Sequence, residues 1–108
     1  MPLTFFKKSW LINEKIKRGK CMLENERRKI DQLDQEIIRL LEQRFDTVQT
    51  IAKVKKEQSI PILDESREQI ILEKVASYVT NKSYVSAIQT IYQEMMSSSR
   101  AYQKKQMD

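Results

Sequence analysis

Leu23, Ile30, Leu33, Ile37, Leu40, Arg44, Thr47, Ile51 and Val54 follow one another on alternating steps of three and four, with the polar Glu26 taking the missing turn. Such a heptad-like seam marks one side of an α-helix. Ile38, Leu41, Phe45, Val48 and Ala52 widen the seam into a broad apolar face, which suits packing against several helices. The pattern predicts a first helix over about residues 24–57, roughly 50 Å long at 1.5 Å per residue. No other stretch of the chain is that long, so a second copy of the chain is expected to cover what its own helices leave bare.

The stretch SIPILD at residues 59–64 breaks the periodicity. Asp64 then offers an N-cap, and Ser66 with Gln69 a competing capping box, for a second helix over about 65–80. Its core face is Ile71, Leu72, Val75 and either Tyr78 or Val79. Asn81, Lys82 and Ser83 make a turn, and a third helix over about 84–105 carries Val85, Ile88, Tyr92, Met95, Ser99 and Tyr102 on steps of three and four. The fold class read from this pattern is all-α, three helices per chain, with a second copy of the chain packed on the part of the first helix left bare.

Composition narrows the picture. One glycine and two prolines leave little turn chemistry after residue 20, so a chain of 108 residues, 32% of them charged, makes a few long elements and one domain. The single cysteine, Cys21, excludes an internal disulfide framework and suits a reducing compartment. With no histidine beside it, a Cys/His metal site is also unsupported.

The formal charge of +5 resides wholly in residues 1–21, where six basic residues face one acid. Residues 22–108 carry 14 basic and 14 acidic side chains, and so present no net field to a nucleic acid. The first 21 residues read as a basic, poorly ordered extension, and residues 22–108 as the functional domain. Met22 stands just before the periodic pattern, and Arg18-Gly19 could be encoded by a purine-rich ribosome-binding sequence, so Met22 is the expected natural start. No apolar run approaches the ~20 residues of a membrane span. The expected location is the cytoplasm.

Polar residues interrupt the apolar faces in three places. Arg44 sits in the seam itself, and Arg27 and Lys55, 28 residues apart, share its edge near opposite ends. A cation facing a helical core needs an anion or a route to water; snorkelling or an internal ion pair is the ordinary solution. Asp64, Arg67, Glu68 and Ile71 share a face of the second helix, where a plain capped start would look the same. Ser99 and Gln103, at i and i+4, extend the face of Tyr92 and Met95, or else mark a solvated helix end. Together they describe a pocket rich in cations with a carboxylate, a hydroxyl and an amide, suited to a small ligand with more than one carboxylate. There is no Ser-His or Cys-His pair, and general acid/base work falls to Glu68 or Lys55. A reaction driven by orientation and electrostatic stabilisation, without proton transfer, fits best.

Arg27-Arg28-Lys29-Ile30-Asp31, Asp34, Leu40-Leu41-Glu42-Gln43-Arg44, Lys53-Val54-Lys55, Pro61-Ile62-Leu63-Asp64, Arg67-Glu68, and Ser99 with Gln103 resemble the all-helical chorismate mutases in their monofunctional bacterial form. The resemblance covers about residues 23–106 in order and spacing. It implies an intertwined homodimer whose two sites each borrow one arginine, Arg27, from the other subunit. Arg44 and Arg27 would hold the two carboxylates of chorismate. Lys55 would reach a carboxylate and the ether oxygen, and Gln103 the same oxygen. Ser99 would support the ring carboxylate, Glu68 with the Asp64 region the ring hydroxyl, and Arg67 would add a peripheral carboxylate contact. The implied activity is the rearrangement of chorismate to prephenate in phenylalanine and tyrosine biosynthesis, with no cofactor and neither nucleic acid nor membrane as partner. The departures are the N-terminal extension and a turn between the second and third helices about one residue short. An isochorismate-pyruvate lyase on the same fold is the nearest rival, disfavoured by Asp64 and Glu68; a non-catalytic helical dimerisation or regulatory module is the other.

Overall fold

The structure, a computed structural model, describes the backbone of residues 3–108 and the side chains of residues 12–108. Three α-helices account for it: α1 Leu3–Gln58, α2 Glu65–Tyr78 and α3 Val85–Met107, with a short 3-10 turn at Lys82–Tyr84 leading into α3. The all-α, three-helix reading therefore holds among the described residues. No helix in this range is long and apolar enough to cross a membrane.

The start of α1 is the main correction. It begins at Leu3, not near residue 24. From Leu3 to Leu23 the chain has no proline and carries five lysines, three leucines and two isoleucines, so nothing there halts a helix. Gly19 alone costs only about 1 kcal/mol relative to alanine and meets no neighbour within 4 Å. The reading of residues 1–21 as a poorly ordered extension falls partly on residues 1–2 and on the side chains of residues 1–11, which lie outside the described residues.

The chain divides into two compact units, residues 1–41 and 42–108. In the first, the backbone described is α1 alone, and its seam is uncovered: Leu23, Ile30, Leu33, Ile37 and Leu40 are each more than half exposed. Arg27 is exposed as well.

The second unit holds the packed core, built from Val48 and Ala52 of α1, Val75 of α2 and Met96 of α3. Phe45 of α1 meets Tyr102 of α3 edge to face, with ring centroids 5.5 Å apart. Here the widened face of α1 points inward while Ile51 and Val54, on the heptad seam, stay exposed. Of the two candidates at the end of α2, Val79 is half-buried and Tyr78 is not. Gln89 of α3 donates to the Leu72 carbonyl of α2 at 3.1 Å and ties the two helices.

Two local devices set the boundaries around the break at residues 59–64. Ser59 takes φ 55°, and the Ile60 amide donates to the Lys55 carbonyl at 2.8 Å, so α1 ends in a Schellman motif with serine where glycine is usual. Pro61 follows; lacking an N–H and disfavouring the α region at Ile60, it prevents α1 from continuing. Asp64 then caps α2, its Oδ1 accepting from the Arg67 amide at 2.9 Å. The Ser66/Gln69 capping box is not used, because Asp64 already occupies the N-cap. Asn81 closes the next turn by accepting from the Ser83 amide at 3.0 Å.

Candidate active site

A cavity of about 410 Å³ opens in the second unit, lined by residues of α1, α2, α3 and the 59–64 connection. Val48, Ile51, Ile62, Ile71 and Met96 supply its apolar wall. The polar wall is Arg44, Thr47, Lys55, Asp64, Arg67, Glu68, Ser99, Arg100 and Gln103. Seven of the eight residues singled out from the sequence are thus brought together by three helices. The eighth, Arg27, belongs to the other unit.

Each polar group is placed by a local cause. Arg44 and Lys55, 11 residues and so three helical turns apart on α1, face the same side. The Arg44 Nη1 donates to Ser99 Oγ of α3 at 2.8 Å, which leaves most of its guanidinium donors uncommitted. The Lys55 ammonium donates to the Ile62 carbonyl at 2.8 Å, a contact possible because the Schellman turn folds residues 60–64 back beside the end of α1. Neither cation meets an acid: among the described residues, the ion pairs are Lys29 with Glu26, Arg39 with Glu36, and Arg100 with Glu68. Both Arg44 and Lys55 are half-buried. Internal neutralisation, the ordinary solution for an inward-facing cation, is therefore not the one adopted here.

Asp64 enters the cavity wall with one carboxylate oxygen committed to its helix cap. Arg67 supplies its backbone amide to that cap while its side chain lines the cavity. On α3, Ser99 and Gln103 are 6% exposed each, so both belong to a buried face and not to a frayed, solvated helix end. The Gln103 Oε1 is buried without a hydrogen-bond partner. A buried orphan of this kind is costly unless a ligand or water completes it.

Glu68 differs from expectation. Both of its oxygens accept from Arg100 Nη1, so its carboxylate is already neutralised by a residue the sequence reading passed over. The signal was present: Met96, Ser99, Arg100 and Gln103 stand at i, i+3, i+4 and i+7, one stripe of α3. This stripe lies beside the Tyr92-Met95-Ser99 line and contains the buried Met96.

The cavity's formal charge follows from its lining. Four cations, Arg44, Lys55, Arg67 and Arg100, face two acids, Asp64 and Glu68, an excess of two. A ligand with two carboxylates balances that excess, and the donors available to it are the strong, charge-assisted kind.

The chorismate mutase type II family model matches residues 26–104, which contains the whole cavity lining. A curated relative, a chorismate mutase of Methanocaldococcus jannaschii, is 28% identical over 83 residues, covering 76% of this chain and 84% of its own. No solved structure matches. With the match spanning most of the chain and enclosing the cationic cavity, the protein belongs to the chorismate mutase type II family and is an isomerase converting chorismate to prephenate.

Proposed function

We propose that the cavity between α1, α2 and α3 is where chorismate rearranges, with Arg44, Lys55, Asp64, Arg67, Glu68, Ser99 and Gln103 as its binding groups. The observation that carries this reading is the pair of half-buried cations, Arg44 and Lys55, which face a cavity with two positive charges in excess and meet no acid of their own. Arg44, steadied by Ser99, receives one carboxylate. Lys55 reaches a carboxylate and the ether oxygen. Gln103 donates to that same oxygen from its buried position.

The reaction needs no proton transfer. The enolpyruvyl arm must lie over the ring, which the apolar wall of Val48, Ile51, Ile71 and Met96 favours by limiting the room available. As the carbon-oxygen bond stretches, negative charge grows on the ether oxygen. Lys55 and Gln103 then bind the transition state more strongly than the ground state. Arg67 adds a peripheral carboxylate contact, and Glu68 with Asp64 accepts from the ring hydroxyl.

The active form is a homodimer in which Arg27 of each chain completes the other chain's site. Support comes from the first unit, where the seam residues flanking Arg27 are uncovered. Burying about five such side chains would contribute on the order of 10 kcal/mol before the losses of association are charged against it. The reaction serves phenylalanine and tyrosine biosynthesis in the cytoplasm, a compartment that suits a chain with a lone, exposed Cys21.

Product identification tests the reading. Purified protein incubated with chorismate yields prephenate; unchanged chorismate would refute the assignment of this cavity as a working site. Incubation with isochorismate separates the rival chemistry, since salicylate with pyruvate as the dominant product would make the chain a lyase.

A further inference from the structure

Arg100 is a cavity-lining cation with no part in the reading above. Its guanidinium bridges α3 to α2 by donating to both oxygens of Glu68, and the two side chains are 34% and 25% exposed. The pair also borders a second hollow, of about 370 Å³, formed with Glu65, Gln69, Leu72 and Gln93 on the far side of Met96. It is thus a wall between two cavities, not an ion pair sealed within apolar packing.

We propose that Arg100 is a positioning residue of the chorismate site, which lets a carboxylate stand in a cavity that must accept a dicarboxylate. The inference rests on reading that cavity as the chorismate site. A carboxylate is a stronger acceptor for a ligand hydroxyl than an amide, but a bare one beside two incoming carboxylates repels them. Arg100 removes the conflict. It neutralises Glu68 from within the wall and fixes the plane of its carboxylate, while lone pairs not used by the single nitrogen Nη1 stay open to a hydroxyl. The lining arithmetic gives the same answer: without Arg100 the excess falls from two positive charges to one, and the ligand is no longer balanced.

The alternative is that the pair merely ties α2 to α3. Steady-state kinetics on chorismate with full-length Arg100→Met, Arg100→Lys and the double variant Glu68→Gln/Arg100→Met, each with a thermal melt, separates the two. Arg100→Met raises KM about tenfold and leaves kcat within about threefold, the pattern of lost ground-state and transition-state binding alike. Arg100→Lys keeps KM within about threefold of wild type, since the charge is retained. The double variant restores the excess of two and recovers part of the KM loss, the remainder being the stronger hydroxyl acceptor lost with the Glu68 carboxylate. Unchanged KM in Arg100→Met, with only a lower melting temperature, would overturn the proposal, as would a double variant no better than Arg100→Met. A wild-type protein that leaves chorismate untouched would instead remove the reading of the site on which the inference stands.

Discussion

Arg44 of α1 donates through Nη1 to Ser99 Oγ of α3 at 2.8 Å, joining two residues 55 positions apart on the wall of one cavity. The hydroxyl orients the guanidinium without neutralising it. A carboxylate of Asp or Glu in place of Ser99 would hold Arg44 equally well and discard its charge.

Ser99→Ala should therefore weaken turnover about tenfold, the worth of one hydrogen bond to a charged group. Ser99→Asp should be far worse, because an internal ion pair forms where the substrate carboxylate belongs. Steady-state rates on chorismate check both; equal losses in the two variants would contradict the orienting role.

Gln103→Glu places a carboxyl where a buried amide now stands. Only the protonated acid can donate to an ether oxygen, so the variant's activity should rise as pH falls from about 7 to about 5, while wild type stays nearly flat. A kcat/KM profile over that range decides the point. A variant without pH dependence would remove Gln103 from the ether oxygen.

The helix boundaries carry their own predictions. Ser59 sits at φ 55°, a conformation that costs a non-glycine residue about 1 kcal/mol, so Ser59→Gly should stabilise the protein by that amount. Asp64→Ala should destabilise it by about 1 kcal/mol through loss of the α2 cap, beyond any effect on catalysis. Urea unfolding measures both changes. A destabilising Ser59→Gly would show that the turn depends on the serine side chain.

Much of this was legible in the chain because helices announce themselves by period. The break at 59–64, the Asp64 cap, the Asn81 turn and the convergence of Arg44, Lys55, Glu68, Ser99 and Gln103 all follow from spacing and from residues with strong local preferences. The start of α1 did not, since helix formers without a stop signal give no reason to place a boundary anywhere. Arg100 was hidden because an arginine near the end of a helix looks like an exposed charge until its acid partner on another helix is seen. The side of α1 that faces the core of its own chain was also ambiguous: a broad stripe does not say which half meets α2 and α3 and which half is left for another partner.

That uncovered half leads to the quaternary prediction. Leu33→Glu with Ile37→Glu, both on the exposed seam, should shift the protein from dimer to monomer in sedimentation and abolish activity together. Mixing inactive Arg27→Ala and Arg44→Ala chains should restore up to about a quarter of the sites by random exchange, since one of the two sites in each mixed dimer keeps both arginines. Absence of any recovery on subunit exchange would mean that each site is built within one chain.

The most direct test compares wild type with Arg44→Ala in turnover of chorismate at neutral pH, with circular dichroism confirming that both remain helical. The expected result is prephenate from wild type and only the uncatalysed rate from the variant. Comparable rates from the two proteins would contradict the claim that a seam cation left without an acid of its own is completed by the substrate's carboxylate.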